Sequence, residues 1–308
     1  MDRLACPSNR LCRLPKQELF VAQDIIKVKI YSVAELRQMK LYHYTTIETL
    51  ALILKNRTIR FNRLDKVDDL EENVVSCGVN LAQYIFASCW TKDAEESIPL
   101  WKMYAGVTNG IRIALDEDMF QEYLIHDLNL NNGLHSEGSI ISLIPKKDIE
   151  ANGYMIMPVY KNSNSDFFYR DIEYVDDVQE KTSDLFKDTG NGVNIEFGKV
   201  GRYKNIRWAF QKESRFILNV FPFNPLHVPT EKMDFVGNII SDCYKVNKQL
   251  PFEYYDMRLQ DSVVDNIEIT LSPSMSESNR IIVEALCKQF TKNGIVKESN
   301  LSGLVNLK

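Results

Sequence analysis

The stretch LYHYTTIETLALILKNRTIRFNR, Leu41 to Arg63, decides how the rest of the chain is read. Its first five residues form a short strand ending in a His-Tyr-Thr corner. Thr46 stands where a helix N-cap is wanted. Ile47, Leu50, Ala51 and Leu54 follow at the i, i+3, i+4, i+7 spacing of one apolar helix face. Asn56 is placed to close the helix in a left-handed cap, and Thr58–Asn62 resumes as a strand. A strand-end histidine followed by an amphipathic helix and a second strand can hold a small ligand against a sheet. The imidazole of His43 suits a ligand hydroxyl and the ring of Tyr44 a flat heterocycle, with Thr45 beside them.

Downstream, YIFASCWT (Tyr84–Thr91) is rich in aromatic and β-branched residues and reads as a strand, with Tyr84, Phe86, Ser88 and Trp90 on one face. SIPLWKMYA (Ser97–Ala105) reads as a helix that roughly aligns Ile98, Trp101 and Tyr104. GIRIALD (Gly110–Asp116) alternates as a strand. Residues 126–152 read as loop, and Met155–Tyr160, Phe167–Tyr174, Glu213–Val220, Phe235–Asp242 and Ile267–Leu271 as strands. Gly201–Phe210 reads as a helix. Ser274 and Glu277 have capping-box spacing, opening a helix to about Lys292 closed by Gly294. Helices and strands are interspersed without a regular β-α-β-α beat, which favours an α+β domain over 41–308 preceded by an appendage, 1–40.

The totals exclude several classes. The chain has 308 residues, 44% hydrophobic and 26% charged, with a formal net charge of -5. That is an ordinary globular composition, without the global basic field of a nucleic-acid binder. Its six cysteines include no C-x-x-C pair, and Cys89 and Cys287 lie in apolar patterns. This usage suits a reducing cytoplasm. No window approaches a membrane span, and the first residues lack the apolar run of a secretory signal. There is no dinucleotide fingerprint G-x-G-x-x-G, no P-loop and no G-x-S-x-G.

Four segments carry candidate chemistry. His43 is the first. Glu213 is the second: period-2 spacing places it on one strand face with Gln211 and Arg215, where an ionised carboxylate can orient a substrate hydroxyl. The bland alternative is a solvated ion pair. The third is Ser88 with Trp90, Trp101 and Tyr104, either core or the lining of a slot for a flat ligand. The acidic run Asp65, Asp68, Asp69, Glu71 and Glu72 reads as a solvated helix N-terminus or, as in a nuclease, an oxygen-ligand metal site. Lys55, Arg57, Arg60, Arg63 and Lys66 are either a local phosphate site or solvated.

The blocks LYHYTT with ILKN (Ile53–Asn56), SCWT (Ser88–Thr91) with LWKMY (Leu100–Tyr104) and GIRI (Gly110–Ile113), and Trp208 followed by ESR (Glu213–Arg215) resemble a widespread bacterial family of domains of unknown function. The resemblance covers roughly residues 40–305. Family members usually carry a second acid near position 211 and Asn-Asp-Pro in the acidic loop, where this chain has Gln211 and Asp68, Asp69 and Leu70. More distantly, the chain is similar to the ADP-ribosyltransferase fold. That similarity implies a mixed, mostly antiparallel split sheet around a cleft with flanking helices. It also implies catalytic His43, Ser88 and Glu213, with NAD as substrate held by Tyr44, Thr45, Trp90, Trp101, Tyr104, Gln211 and Arg215. His43 would bond the adenosine ribose and Glu213 the nicotinamide ribose. The implied protein is a toxin or phage-defence effector inside the bacterial cell, with a protein or nucleic-acid acceptor. A nucleotide or nucleic-acid binding or sensor domain, and a metal-dependent nuclease, are the competing expectations.

Overall fold

The structure is a computed structural model that describes residues 39–126, 139–160, 165–190, 192–229, 232 and 235–305. Expectations for the first 38 residues, including Cys6 and Cys12, lie outside the described residues. The chain from Met39 onward forms one compact unit.

Ten strands make the main sheet: β1 (Lys40–Thr46), β2 (Thr58–Arg63), β3 (Ile85–Thr91), β4 (Gly110–Asp116), β5 (Met155–Ile156), β6 (Tyr169–Asp171), β7 (Glu213–Phe221), β8 (Tyr254–Arg258), β9 (Glu268–Leu271) and β10 (Ile295–Lys297). The path runs β6-β7-β3-β1-β4-β9-β10, with β2 joining β3 to β8 and β5 extending β7. Every pairing in it is antiparallel except β9 with β10. The fold is therefore mixed, with a mainly antiparallel sheet.

The sheet divides at β3. One edge of β3 is paired along its length with β7, from Glu213↔Thr91 to Asn219↔Ile85. The other edge is shared. β1 meets it only at Tyr42↔Thr91, and β2 only at Asn62↔Ala87 and Arg63↔Phe86. From there β1 follows β4 and β2 follows β8. Between the two contacts, Ser88–Trp90 borders a gap in the sheet.

Helix α1 (Ile47–Asn56) joins the two diverging strands. Thr46 caps it by accepting from Thr49 N at 3.4 Å. Ile47, Leu50, Ile53 and Leu54 are its buried residues, each stabilising by about 1.5–3 kcal/mol on burial. Ile53 replaces the expected Ala51. The helix includes Asn56, and the left-handed residue is Arg57, φ 52°. The Arg57 guanidinium is anchored to Asp265 at 2.8 Å.

The other long helices are α2 (Val236–Lys245) and α3 (Glu277–Phe290), and α3 packs on α1. Ser276 caps α3, accepting from Asn279 N at 3.3 Å. Helix α3 stops at Phe290, two residues short of the expected Lys292. No described helix is long and apolar enough to cross a membrane.

Several expected elements differ. Phe235–Asp242 lies mostly in α2, whose apolar residues serve a helix face rather than a strand. Phe167 and Phe168 end a helical turn, and strand β6 begins at Tyr169. The expected helix 201–210 is a short strand, Tyr203–Asn205, followed by a 3-10 segment, Ile206–Gln211. Within the expected loop 126–152, Ser139–Ser142 is a strand paired with Tyr123–His126, and residues 127–138 lie outside the described residues.

Candidate functional site

Antiparallel partners point to the same side of a sheet, and alternate residues of a strand share a face. The register therefore sorts the side chains at the gap. One face carries Tyr42 and Tyr44 of β1, Arg60 and Asn62 of β2, Ala87, Cys89 and Thr91 of β3, and Glu213 and Arg215 of β7. The other carries His43, Ser88, Trp90 and Phe216.

A cavity of about 280 Å³ opens at the gap, and all nine residues of the first face line it. His43, Ser88 and Trp90 reach it from the second face. Lys66, Asp68 and Asp69 come from the loop after β2, Tyr104 from the turn after β3, and Lys204 and Gln211 from the segment before β7.

The gap leaves strand polar groups to be satisfied by side chains. His43 does this for Cys89: its Nδ1 donates to the Cys89 carbonyl at 2.8 Å. That bond fixes the proton on Nδ1. Burial lowers the imidazole pKa below its ordinary value, against the Cys89 bond, which raises it. A neutral ring protonated on Nδ1 carries its lone pair on Nε2, an acceptor for a ligand hydroxyl. Trp90 lies 5.1 Å from the His43 ring, and its Nε1 donates to Ser88 Oγ at 3.0 Å. Behind them Trp90 meets Phe216 edge-on at 6.4 Å. Ser88 thus packs beside the aromatic core, and its hydroxyl, which accepts from Trp90, keeps its proton to donate.

Glu213 belongs to a quartet of buried charges with Arg215, Lys204 and Glu72. Arg215 Nε donates to Glu213 Oε1, and Lys204 Nζ lies 3.0 Å from Glu213 Oε2. Arg215 also clasps Glu72 with both terminal nitrogens, Nη2 at 2.9 Å from Oε1, and Lys204 Nζ lies 3.3 Å from the same oxygen. Two carboxylates thus face two cations. Burial alone would raise the Glu213 pKa, but Arg215 and Lys204 outweigh it and hold the carboxyl at about 2. Glu213 is ionised at any physiological pH.

Around this quartet, Lys204 Nζ also donates to Gln211 Oε1 at 2.8 Å, and Gln211 Nε2 donates to Tyr104 OH at 2.6 Å. Lys204 further sits over the Trp208 ring at 4.9 Å. Glu213 N donates to Tyr174 OH at 2.8 Å.

The expected residues therefore divide. His43, Tyr44, Ser88, Trp90, Tyr104, Gln211, Glu213 and Arg215 all line one cavity. Gln211 reaches it from the end of a 3-10 segment, not from the strand: Lys212 takes a left-handed turn, φ 44°, before β7 begins. Thr45 and Trp101 are buried but do not line it. Trp101 packs edge-on against Tyr44 at 5.0 Å and donates to Glu96 at 3.0 Å, so it supports the wall from behind. Tyr44 OH in turn accepts from Ser97 N at 2.9 Å.

Lys204 escaped the sequence reading, and Glu72 and Asp69 entered it only within the acidic run, as a solvated helix N-terminus or a metal site. The acidic run reads as solvated, yet Glu72 is 1% exposed and Asp69 is 7% exposed. Periodicity gave no signal because this run folds as 3-10 turns, Leu64–Lys66 and Leu70–Glu72. Among the basic residues, Arg57, Arg60 and Arg63 pair with Asp265, Asp256 and Asp65, and only Arg60 and Lys66 line the cavity. Cys89 faces the cavity beside Glu213. Burial and the Glu213 charge both raise its thiol pKa, which opposes formation of a nucleophilic thiolate.

Among the described residues, no three His, Cys, Asp or Glu side chains are grouped to hold a metal ion. Three of the five acids in the run, Asp65, Glu71 and Glu72, instead pair with Arg63, Arg207 and Arg215. The chain matches no protein-family model, no curated protein and no solved structure.

Proposed function

We propose that the cavity binds NAD and that the protein is an ADP-ribosyltransferase-like enzyme of the bacterial family its motifs resemble. The observation that carries this reading is the convergence of His43, Ser88 and Glu213, from three separated segments, on one cavity at a break in the sheet. Four aromatic rings, Tyr42, Tyr44, Trp90 and Tyr104, also line it and suit flat heterocycles. Arg60, which is paired with Asp256, and Lys66, which lies 3.5 Å from Glu253, are the cations that phosphates would meet on the side of β2.

In this reading His43 Nε2 accepts a ribose hydroxyl. Glu213 keeps a lone pair on each oxygen beyond those used by Arg215 and Lys204. With these it accepts the 2′-hydroxyl of the nicotinamide ribose and stabilises positive charge developing at the anomeric carbon. The bond from that carbon to the ring nitrogen breaks, and its electron pair leaves with nicotinamide. An acceptor hydroxyl or amine forms the new bond and loses its proton to solvent or a base. Ser88 lines the same cavity, and its hydroxyl, which accepts from Trp90, keeps its proton to donate to the substrate.

A second reading, a nucleotide-binding module without turnover, is favoured by one observation: both oxygens of Glu213 are already engaged by cations. Free nicotinamide released from NAD separates the two. The transferase reading expects release by the wild type and at least a hundredfold less by Glu213→Gln at equal folded fraction. Binding of NAD without release by either protein supports the module.

A further inference from the structure

Asp69 is a buried carboxylate with one oxygen in use and one idle. Its Oδ1 accepts from Glu71 N at 3.1 Å and so caps the turn Leu70–Glu72. Its Oδ2 is buried and has no hydrogen-bond partner among the described residues. The side chain is 7% exposed, and it lines the cavity. An unsatisfied buried acceptor carries the full cost of its desolvation, so a fold that retains one at a cavity wall gains from any ligand that supplies the donor.

The neighbourhood says which end of the ligand meets it. Asp69 caps the turn that carries Glu72, and Glu72 and Lys204 are two members of the quartet around Glu213. Burial, the largest influence, raises its pKa, and the Glu71 amide opposes that. Asp69 therefore sits at the Glu213 end of the cavity. In the reading above, on which this inference rests, that end takes the nicotinamide ring.

We propose that Asp69 is a specificity-determining contact whose Oδ2 accepts a hydrogen bond from the carboxamide N–H of the nicotinamide ring. An ionised Asp69 is an acceptor only, so it favours an amide and repels a carboxylate at the same position. Asn in its place keeps an oxygen for the Glu71 cap and offers an amide N–H donor to the cavity.

Calorimetric titration of wild type and Asp69→Asn with NAD, with its nicotinic-acid counterpart and with the dinucleotide bearing hypoxanthine in place of adenine tests this. The wild type is expected to prefer NAD over the acid form by about tenfold or more, the usual scale for a hydrogen bond to a charged group. Asp69→Asn is expected to shrink or invert that ratio and to leave the hypoxanthine form's affinity relative to NAD unchanged. An unchanged amide-to-acid ratio overturns the assignment, as does an effect confined to the hypoxanthine form. If the wild type binds none of the three, the NAD reading falls, and the melting temperatures then decide on Asp69. A ligand-facing carboxylate predicts that Asp69→Asn melts at or above wild type at pH 7. A lower melt marks Asp69 as structural and overturns its role.

Discussion

The ammonium of Lys204 lies 3.0 Å from Glu213 Oε2, and both side chains are buried at the cavity wall. Nine residues separate them, and the left-handed turn at Lys212 brings the chain back so that they meet. Replacing Lys204 by Met leaves Glu213 with Arg215 alone and Gln211 Oε1 without its donor. The expected cost is about 3–5 kcal/mol, the usual scale for removing one member of a buried ion pair. Urea unfolding at pH 7 checks it; a loss under about 1 kcal/mol would mean that water replaces the ammonium.

Glu72 and Arg215 form the other half of the quartet, joined through both terminal guanidinium nitrogens. Glu72→Leu alone, and Arg215→Met alone, should each destabilise by about 3–5 kcal/mol. The double variant should lose less than the two losses added, because neither leaves its partner buried and alone. Additive losses in a double-mutant cycle would contradict the pairing.

Acid stability follows from the Glu213 carboxyl, held at about 2 against an ordinary 4.5. A depressed carboxylate contributes stability that is fully present above the unfolded pKa and is lost as the pH falls through the folded one. The wild type should therefore lose stability between about pH 4.5 and pH 2 more steeply than Glu213→Gln, which lacks this titration. Unfolding free energies measured across that window check the sign, and parallel curves would contradict it.

Much of the fold was legible where a single periodicity ruled a segment. The strand-helix-strand unit of β1, α1 and β2 follows from Thr46 and the spacing of Ile47, Leu50 and Leu54. The alternation in β3 correctly grouped Phe86, Ser88 and Trp90. What alternation does not say is which face meets a cavity. That depends on where β1 and β2 part from β3, a property of pairing between distant segments. Cys89 and Thr91, which share the face of Glu213, were therefore passed over, although they line the cavity together with Ser88. The quartet was half visible, since Glu213 and Arg215 stand two apart on one strand. Glu72 and Lys204 come from a 3-10 turn and a three-residue strand, which are too short to carry a period. Phe235–Asp242 misled because a short apolar run reads equally as strand or helix.

His43 offers a prediction specific to the gap. His43→Phe keeps an aromatic ring beside Trp90 but removes both the donor to the Cys89 carbonyl and the Nε2 acceptor. NAD affinity should fall by about fivefold or more, the scale of one neutral hydrogen bond. Equal titration curves for the two proteins would remove His43 from the ligand contacts.

The central claim is that the break between β1, β2 and β3 is where the ligand binds. Hydrogen–deuterium exchange of the full chain with and without saturating NAD tests it most directly. The account predicts slowed exchange in peptides covering Tyr42–Thr45, Ser88–Thr91 and Asp68–Asn73, with α3 and β10 unchanged. No protection in those three segments, or protection confined to the far edge of the sheet, would contradict it.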